Sequence, residues 1–198
     1  MKLYVTLSSP YARMARMVVL EKNLQQRVQI VEAKTRTAGS PYYAINPSGR
    51  VPYLVRDDGV GMEESALICD YLDSLDGHPT LRVPDDWEVR RLEALARSMV
   101  DGISVWNREL ARPENERSPT VIRHETERAR RMIDVWEREI GHRVMHGPLN
   151  MLQLTLGCTL GLEARNPGFQ WRAGHPRLVE WFRGFAARPS FQATLPPV

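Results

Sequence analysis

The chain has 198 residues, 42% hydrophobic and 26% charged, an ordinary balance for a folded soluble protein long enough to bury a core without metal or disulfide staples. Its net charge of +3 comes from arginines spread among glutamates along helical segments, which argues against a nucleic-acid groove, where basic residues cluster and interleave with aromatics. Cys69 and Cys158 lie far apart without CxxC spacing, so neither a disulfide framework nor a metal site is expected; no stretch approaches the ~20 apolar residues of a membrane span, the N-terminal apolar run is too short for a signal-peptide core, and a cytoplasmic protein is the expectation.

In chain order, Leu3 to Leu7 is β-rich and stops at Ser8-Ser9-Pro10, which reads as a buried strand running into a helix. Serine suits the N-cap and proline the first turn, so a helix is predicted from about Tyr11 to Asn23. Val28 to Glu32 reads as a second strand. Residues 33–50 carry Gly39, Pro41, Pro47 and Gly49 and are expected to be irregular with at most a short helix. Pro52 to Arg56 and Val60 to Met62 flank Asp57-Asp58-Gly59 and read as a hairpin, followed by a helix from Glu64 to about Leu75. Strand–helix–strand followed by a hairpin and a helix predicts a small mixed sheet of thioredoxin-like type for residues 1–76. GHPTLRVPDD breaks every periodicity and reads as a linker over 77–86. Residues 87–198 carry helical signals alone. Helices are expected over about 86–112, 120–140, 150–165 and 177–187, with a last short one opened by Pro189, so the second domain is predicted to be an all-α bundle.

Three short segments carry candidate chemistry. Ser9 ends a strand and starts a helix, where free N–H groups and the positive helix end stabilise an anion such as a thiolate, and a hydroxyl can add one hydrogen bond. A plain helix cap is the commoner reading of Ser-Pro alone. Val51-Pro52 opens a strand. A cis bond there would turn the Val51 N–H and C=O outward to pair with a peptide ligand, whereas a trans edge proline is the commoner state. Glu64-Ser65 opens a helix. A hydroxyl with helix N–H groups suits a carboxylate and Glu64 suits an ammonium, the two ends of an amino acid, although an acidic first turn is also frequent as a bare cap.

Taken together, SSPYARMAR, NPSGRVPYL and EESALICDYL resemble the three motifs of the N-terminal domain of the cytosolic glutathione S-transferases, in family order and spacing. GPLNMLQLTLGCTLGLE and HPRLVEWFRGFAARPSFQATLP are similar to that family's sixth helix and closing segment, so the resemblance covers essentially the whole chain. It is to the bacterial, serine-type members. It implies a thioredoxin-like domain followed by an all-α domain, glutathione as co-substrate, no metal, a small hydrophobic electrophile between the domains, a homodimer and a role in detoxification. By position, Ser9 matches the serine that activates the glutathione thiol, with Ser8 and Tyr4 in reserve. Val51, before a cis Pro52, matches the residue that pairs with the cysteinyl backbone. Glu64 and Ser65 match the pair that holds the γ-glutamyl end, and Arg50 sits where some classes place a lysine near the glycyl carboxylate.

For the electrophile, Tyr11 is the expected contact. Met99, Ile103 and Trp106 share one face of the long helix, with packing in the bundle core as the commoner reading. Neither cysteine lies near the first helix start, so disulfide chemistry by the protein itself is not expected. Asn150 and Gln153 stand where the family's sixth helix usually has Ser or Thr and Asp, and are expected to form a reciprocal capping box. Two other function classes fit the resemblance. One is a glutathione-dependent isomerase of the maleylacetoacetate type or a dehalogenase, although Pro10 and Tyr11 replace the Cys and Trp that follow the isomerase serines. The other is a glutathione-binding module without turnover.

Overall fold

The structure is a computed structural model and describes residues 1–75 and 80–197. Residues 76–79, which take in the end of the predicted first domain and the start of the predicted 77–86 linker, lie outside the described residues. The chain forms two compact units, Met1–Arg82 with Pro189–Val198, and Val83–Arg188.

The first unit holds a four-stranded mixed sheet in the order β2-β1-β3-β4, from β1 (Lys2–Val5), β2 (Gln29–Glu32), β3 (Tyr53–Val55) and β4 (Gly61–Met62). β1 and β2 are parallel, as their crossover helix α1 (Pro10–Glu21) requires, and β3 pairs antiparallel with both β1 and β4. Leu3 and Val5 alternate inward on β1 and, with Leu54 of β3, have no exposed surface. α1 covers this face with Met14, Met17 and Val18, and α2 (Ser65–Asp73) with Ile68, Cys69 and Leu72. Burying each such side chain contributes ~1.5–3 kcal/mol, which makes this apolar layer the main source of the unit's stability. The Asp57-Asp58-Gly59 turn forms as the sequence suggests, with Gly59 at φ 83 and Asp58 Oδ1 accepting from the Val60 N–H.

Residues 189–197 pack with this first unit, although their helical signal groups them with the bundle in sequence. Two residues of α1 explain the difference. The Arg13 guanidinium lies 3.8 Å from the centre of the Phe191 ring and donates to the Phe191 carbonyl at 2.9 Å, and Glu21 accepts from Ser190 Oγ at 2.5 Å. The short helix α7 (Pro189–Ala193) is held there by polar contacts that helical periodicity does not encode.

The second unit is helical, with α3 (Trp87–Leu110), α4 (Pro119–Glu139), α5 (Met151–Leu160) and α6 (Pro176–Ala186). All ten residues of α5 are buried, so it forms the centre of the unit, and its two threonines return their hydroxyls to carbonyls one turn back, at 2.8 and 2.7 Å. Gly157 lets α6 approach: a Cβ there would stand 2.0 Å from the Phe185 ring. α4 fixes the start of α6, because the Glu137 carboxylate accepts from the Arg177 and Leu178 N–H groups at 3.0 and 2.9 Å. The helix predicted to run to Arg165 ends at Leu160 and continues as a 3-10 turn over Gly161–Arg165, a tightening usual at helix ends and eased here by Gly161. The Asn150–Gln153 box forms in one direction only. Asn150 Oδ1 accepts from the Gln153 N–H at 3.1 Å, but the Gln153 amide donates to the Val144, Gly147 and Pro148 carbonyls instead of serving Asn150.

One buried ion pair ties α1 to the end of α2. Lys22 Nζ lies 3.0 Å from Asp73 Oδ1, and Asp73 also accepts from Thr80 Oγ1 and the Leu81 N–H, both at 2.9 Å. Burial pushes the Asp73 carboxyl up, but the hydrogen bonds from Leu81, Lys22 and Thr80 and the Lys22 charge together outweigh it and leave the group below its ordinary value. A depressed folded value means that the stabilisation is complete above the unfolded carboxylate range near ~4 and is lost as pH falls through the folded value. Asp73→Asn strands a buried ammonium and is expected to cost about 3 kcal/mol in urea denaturation at pH 7. The difference from wild type should shrink as the pH is lowered below 4.

Candidate functional site

The strand registers bring the three sequence segments to one end of the sheet. Tyr4 pairs with Tyr53, and continuing that antiparallel register sets Thr6 level with Val51. Leu54 pairs with Met62, and continuing that register sets Pro52 level with Glu64. The end of β1, the start of β3 and the end of β4 therefore meet, and Ser9, Val51-Pro52 and Glu64-Ser65 are the residues that follow or precede them. Where a strand end adjoins a helix start, α/β sheets bind their ligands.

Ser9 is the N-cap of α1. Its Oγ accepts from the Ala12 N–H at 3.2 Å, Pro10 occupies the first helical position and no acidic residue stands in the first turn. A hydroxyl that accepts through a lone pair keeps its proton to donate, so capping and hydrogen bonding to an anion are compatible at this one side chain. Ser8 is exposed, and Tyr4 is half-buried with its ring centre 5.7 Å from that of Tyr42.

The Val51–Pro52 peptide bond is cis. Among the described residues no hydrogen bond engages the main-chain N–H or carbonyl of Val51. The loop before it is braced from within. The Tyr42 hydroxyl and Asn46 Nδ2 both donate to the Arg50 carbonyl, at 2.5 and 3.0 Å, and Asn46 Oδ1 accepts from the Ser48 N–H at 3.2 Å. Burial is the main cause that raises the Tyr42 phenol above its ordinary value, with the Asn46 hydrogen bond lowering it and the charges of Tyr53, Glu63 and Tyr4 raising it further; Tyr42 thus stays a donor. Gly49 sits at φ 66 and its Cβ would come 2.7 Å from the Tyr43 ring, so glycine suits the turn on both counts. The exposed Arg50 side chain has no carboxylate within 4 Å among the described residues.

Glu64 caps α2 from an uncommon left-handed conformation, φ 77. Its Oε1 accepts from the Ala66 N–H at 3.2 Å and from Ser65 Oγ at 3.1 Å, so the donors that the sequence offers to a carboxylate are engaged by Glu64 itself. Ser48 Oγ donates to Glu63, which links the loop before Val51 to the turn before Glu64. Sequence reasoning did not single out Tyr42, Asn46 or this Ser48–Glu63 link. The Asn-Pro-Ser-Gly turn was visible, but its acceptor, the Arg50 carbonyl, is a main-chain atom that no side-chain pattern announces.

The proposed electrophile contacts separate into two settings. Tyr11 is half-exposed on the first turn of α1. Trp106 is 4% exposed within the second unit, its ring edge-on to Phe169 at 6.5 Å and its Nε1 without a hydrogen-bond partner among the described residues. Met99 and Ile103 are buried beside it on α3, as core packing requires. Among the described residues no group of three or more His, Cys, Asp or Glu is placed to hold a metal ion, and no helix is long and apolar enough to cross a membrane.

The family model described as glutathione S-transferase, N-terminal domain, matches residues 8–75, which span all three segments. The crystal structure of a glutathione transferase family member from Pseudomonas fluorescens Pf-5, with bound S-(propanoic acid)-glutathione, is 30% identical over the whole of both chains with a TM-score of 0.87. The chain belongs to the glutathione S-transferase family. A structure of a Pseudomonas fluorescens Pf-5 family member with bound glutathione gives a TM-score of 0.90 at 29% identity, covering 100% of this chain and 99% of the other. An uncharacterized GST-like protein of Escherichia coli (strain K12), YibF, is 29% identical over 202 residues, covering 100% of this chain and 99% of the relative. The thioredoxin-like domain and helical region are thus those of the glutathione S-transferase family.

Asn46 is the side chain on which the loop geometry turns. It is 2% exposed, donates to the Arg50 carbonyl and accepts from the Ser48 N–H. Asn46→Ala is expected to cost ~1–3 kcal/mol, the penalty for leaving a buried carbonyl short of its donor. The Ser48 amide should lose most of its hydrogen-exchange protection while the amides of β1 keep theirs.

Proposed function

We propose that this glutathione S-transferase family member binds glutathione at the sheet end formed by Ser9, Val51 and Glu64-Ser65 and activates its thiol for attack on a small hydrophobic electrophile. The observation that carries the reading is the Ser9 hydroxyl, which accepts the α1 cap bond and retains its proton for a donor role beside a helix N-terminus free of acidic residues. On this reading the Val51 N–H and C=O pair with the cysteinyl backbone of glutathione in strand fashion. Ser65 and the first N–H groups of α2 take the γ-glutamyl carboxylate by exchange for the Glu64 oxygen they now serve, which releases Glu64 toward the ammonium. Arg50 and Pro52 complete the site, with the Arg50 guanidinium toward the glycyl carboxylate. The glutathione and S-(propanoic acid)-glutathione in the Pseudomonas fluorescens structures support glutathione and its thioethers as the ligand class.

In the reaction, the thiol proton leaves to solvent and Ser9 donates to the resulting thiolate. The sulfur then forms a bond to the electrophilic carbon, and the electron pair displaced from that carbon departs with the leaving group or is protonated by water. Tyr11, half-exposed just past Ser9, is the proposed contact to the electrophile. Trp106 is the lesser one, since only its Nε1 is unpartnered among the described residues and its ring is buried. Action as a cytoplasmic homodimer in detoxification belongs to the same proposal.

Thiolate absorbance titrated with glutathione bound tests the reading. The wild type should ionise the bound thiol at lower pH than free glutathione. A hydrogen bond to a charged group contributes ~1.5–3 kcal/mol, so Ser9→Ala should lower kcat/KM about 10- to 100-fold and raise the bound thiol's ionisation midpoint by one unit or more. Ser9→Thr should restore most of both. Losing the cap costs about 1 kcal/mol, so thermal unfolding should show Ser9→Ala still folded. Binding with an unshifted thiol in wild type would make the protein a glutathione-binding module, and absence of glutathione binding would overturn the proposal.

A further inference from the structure

Tyr42 is the most buried of the six tyrosines, at 3% exposure. It sits in the 3-10 turn Pro41–Ala44, whose start is set by Pro41 and by Ser40 Oγ, which accepts from the Tyr42 N–H at 3.3 Å. Its carbonyl accepts from the Ile45 and Asn46 N–H groups, both at 2.9 Å, and its ring centre lies 5.7 Å from that of Tyr4. Backbone and ring are thus both fixed before the hydroxyl makes any bond.

That hydroxyl donates to the Arg50 carbonyl at 2.5 Å, where Asn46 Nδ2 is a second donor at 3.0 Å. A carbonyl oxygen has two lone pairs, so this acceptor is full. On the other side of the same residue, the Arg50 N–H donates to Ser48 Oγ at 3.2 Å. One donor is enough to satisfy a carbonyl. A second donor, arriving from another side chain, adds a fixed direction.

The consequence lies across the peptide plane. The Arg50–Val51 bond is trans, since Val51–Pro52 is the one cis bond among the described residues. In a planar trans peptide the C=O and the N–H point in opposite directions. Two buried donors that hold the Arg50 carbonyl therefore turn the Val51 N–H away from Tyr42 and Asn46. That N–H has no hydrogen-bond partner among the described residues. Hydrogen bonds at the carbonyl end also polarise the amide, which makes its N–H a stronger donor.

We infer that Tyr42, on the glutathione reading from which this follows, is a positioning residue for the ligand: through the Arg50–Val51 peptide its hydroxyl aims the Val51 N–H at the cysteinyl carbonyl of glutathione. Tyr42 itself touches no ligand and takes no part in ionising the thiol, which is the task of Ser9.

Tyr42→Phe tests this, because it keeps the ring and leaves Asn46 on the Arg50 carbonyl. The variant should fold, with an unfolding temperature lower by about 2–4 °C, the effect of one neutral hydrogen bond in a chain of this size. Calorimetric titration with three thiols separates positioning from general loosening. Glutathione should bind the variant ~3- to 10-fold more weakly than wild type. γ-Glutamylcysteine, which lacks glycine but keeps an acceptor on the cysteinyl carbon, should lose as much, so the Arg50 side chain is not the route. γ-Glutamylcysteamine, which has no acceptor at that carbon, should change by less than about 2-fold. The ionisation midpoint of the bound thiol should stay at its wild-type value.

Hydrogen exchange at saturating glutathione is the second measurement, and it decides alone if γ-glutamylcysteamine binds wild type too weakly to titrate. Glutathione should protect the wild-type Val51 amide at least ~10-fold over the free protein, and Tyr42→Phe should reduce that protection to about a third or less. Equal weakening of all three thiols would make Tyr42 a structural residue and overturn the inference, as would unchanged glutathione affinity and Val51 protection in the variant. Absence of glutathione binding to wild type would overturn the glutathione reading and this inference with it.

Discussion

The antiparallel pairing of β1 with β3 is the constraint on which the proposed site in the first unit depends. Leu3 opposite Leu54 is an apolar contact with no exposed surface, and a slip of one strand by one residue would turn its leucine to the other face. That packing demand sets the register, and the register carries Ser9, Val51 and Glu64 to one end of the sheet although 42 and 13 residues separate them in the chain. Ser9, Val51 and Glu64 need no attraction for one another to be assembled. The core assembles them.

Ser9, Glu64 and Arg50 each have a structural duty that also leaves a group available to a ligand. Ser9 closes a helix end, and a helix end is where donors point outward. Glu64 caps α2 with the same oxygen that a ligand carboxylate would replace, so the local structure is satisfied both with and without a ligand. Arg50 offers its carbonyl inward to Tyr42 and Asn46 and its side chain outward, which separates the part of the residue that holds the loop from the part available for charge.

How much of this is legible in the sequence follows from range. The strands, the Asp57-Asp58-Gly59 hairpin, the helix starts at Ser9, Asp86, about Thr120 and Asn150 and the helical second half rest on local signals, and they appear in the structure within a residue or two. The three segments proposed as the site each coincide with such a signal. What was not readable depends on atoms far apart in sequence or on main-chain acceptors. Nothing in the sequence around Phe191 says that Arg13 holds it. Nothing around Tyr42 says that its hydroxyl serves a carbonyl eight residues on. The reciprocal box at Asn150 failed for a chemical reason: Gln153 can donate as well as accept, and three nearby carbonyls compete for its donors more effectively than one N–H competes for its acceptor.

The chemistry open to Ser9 is narrow, and that narrowness shapes the proposed mechanism. A serine hydroxyl cannot take the thiol proton at neutral pH, so it contributes only by favouring the thiolate once formed. A helix N-terminus contributes ~0.3–1 kcal/mol to a nearby anion and a charge-assisted hydrogen bond ~1.5–3 kcal/mol. At about 1.4 kcal/mol per tenfold, these together raise the thiolate-to-thiol ratio by about one to three orders of magnitude, most of it from the single Ser9 proton. That suffices to make a thiol that is mostly protonated in water mostly ionised near neutrality. Further rate enhancement must come from groups that meet the electrophile. The absence of acidic residues from the first turn of α1 matters for the same reason, since a carboxylate there would oppose the whole of the helix contribution.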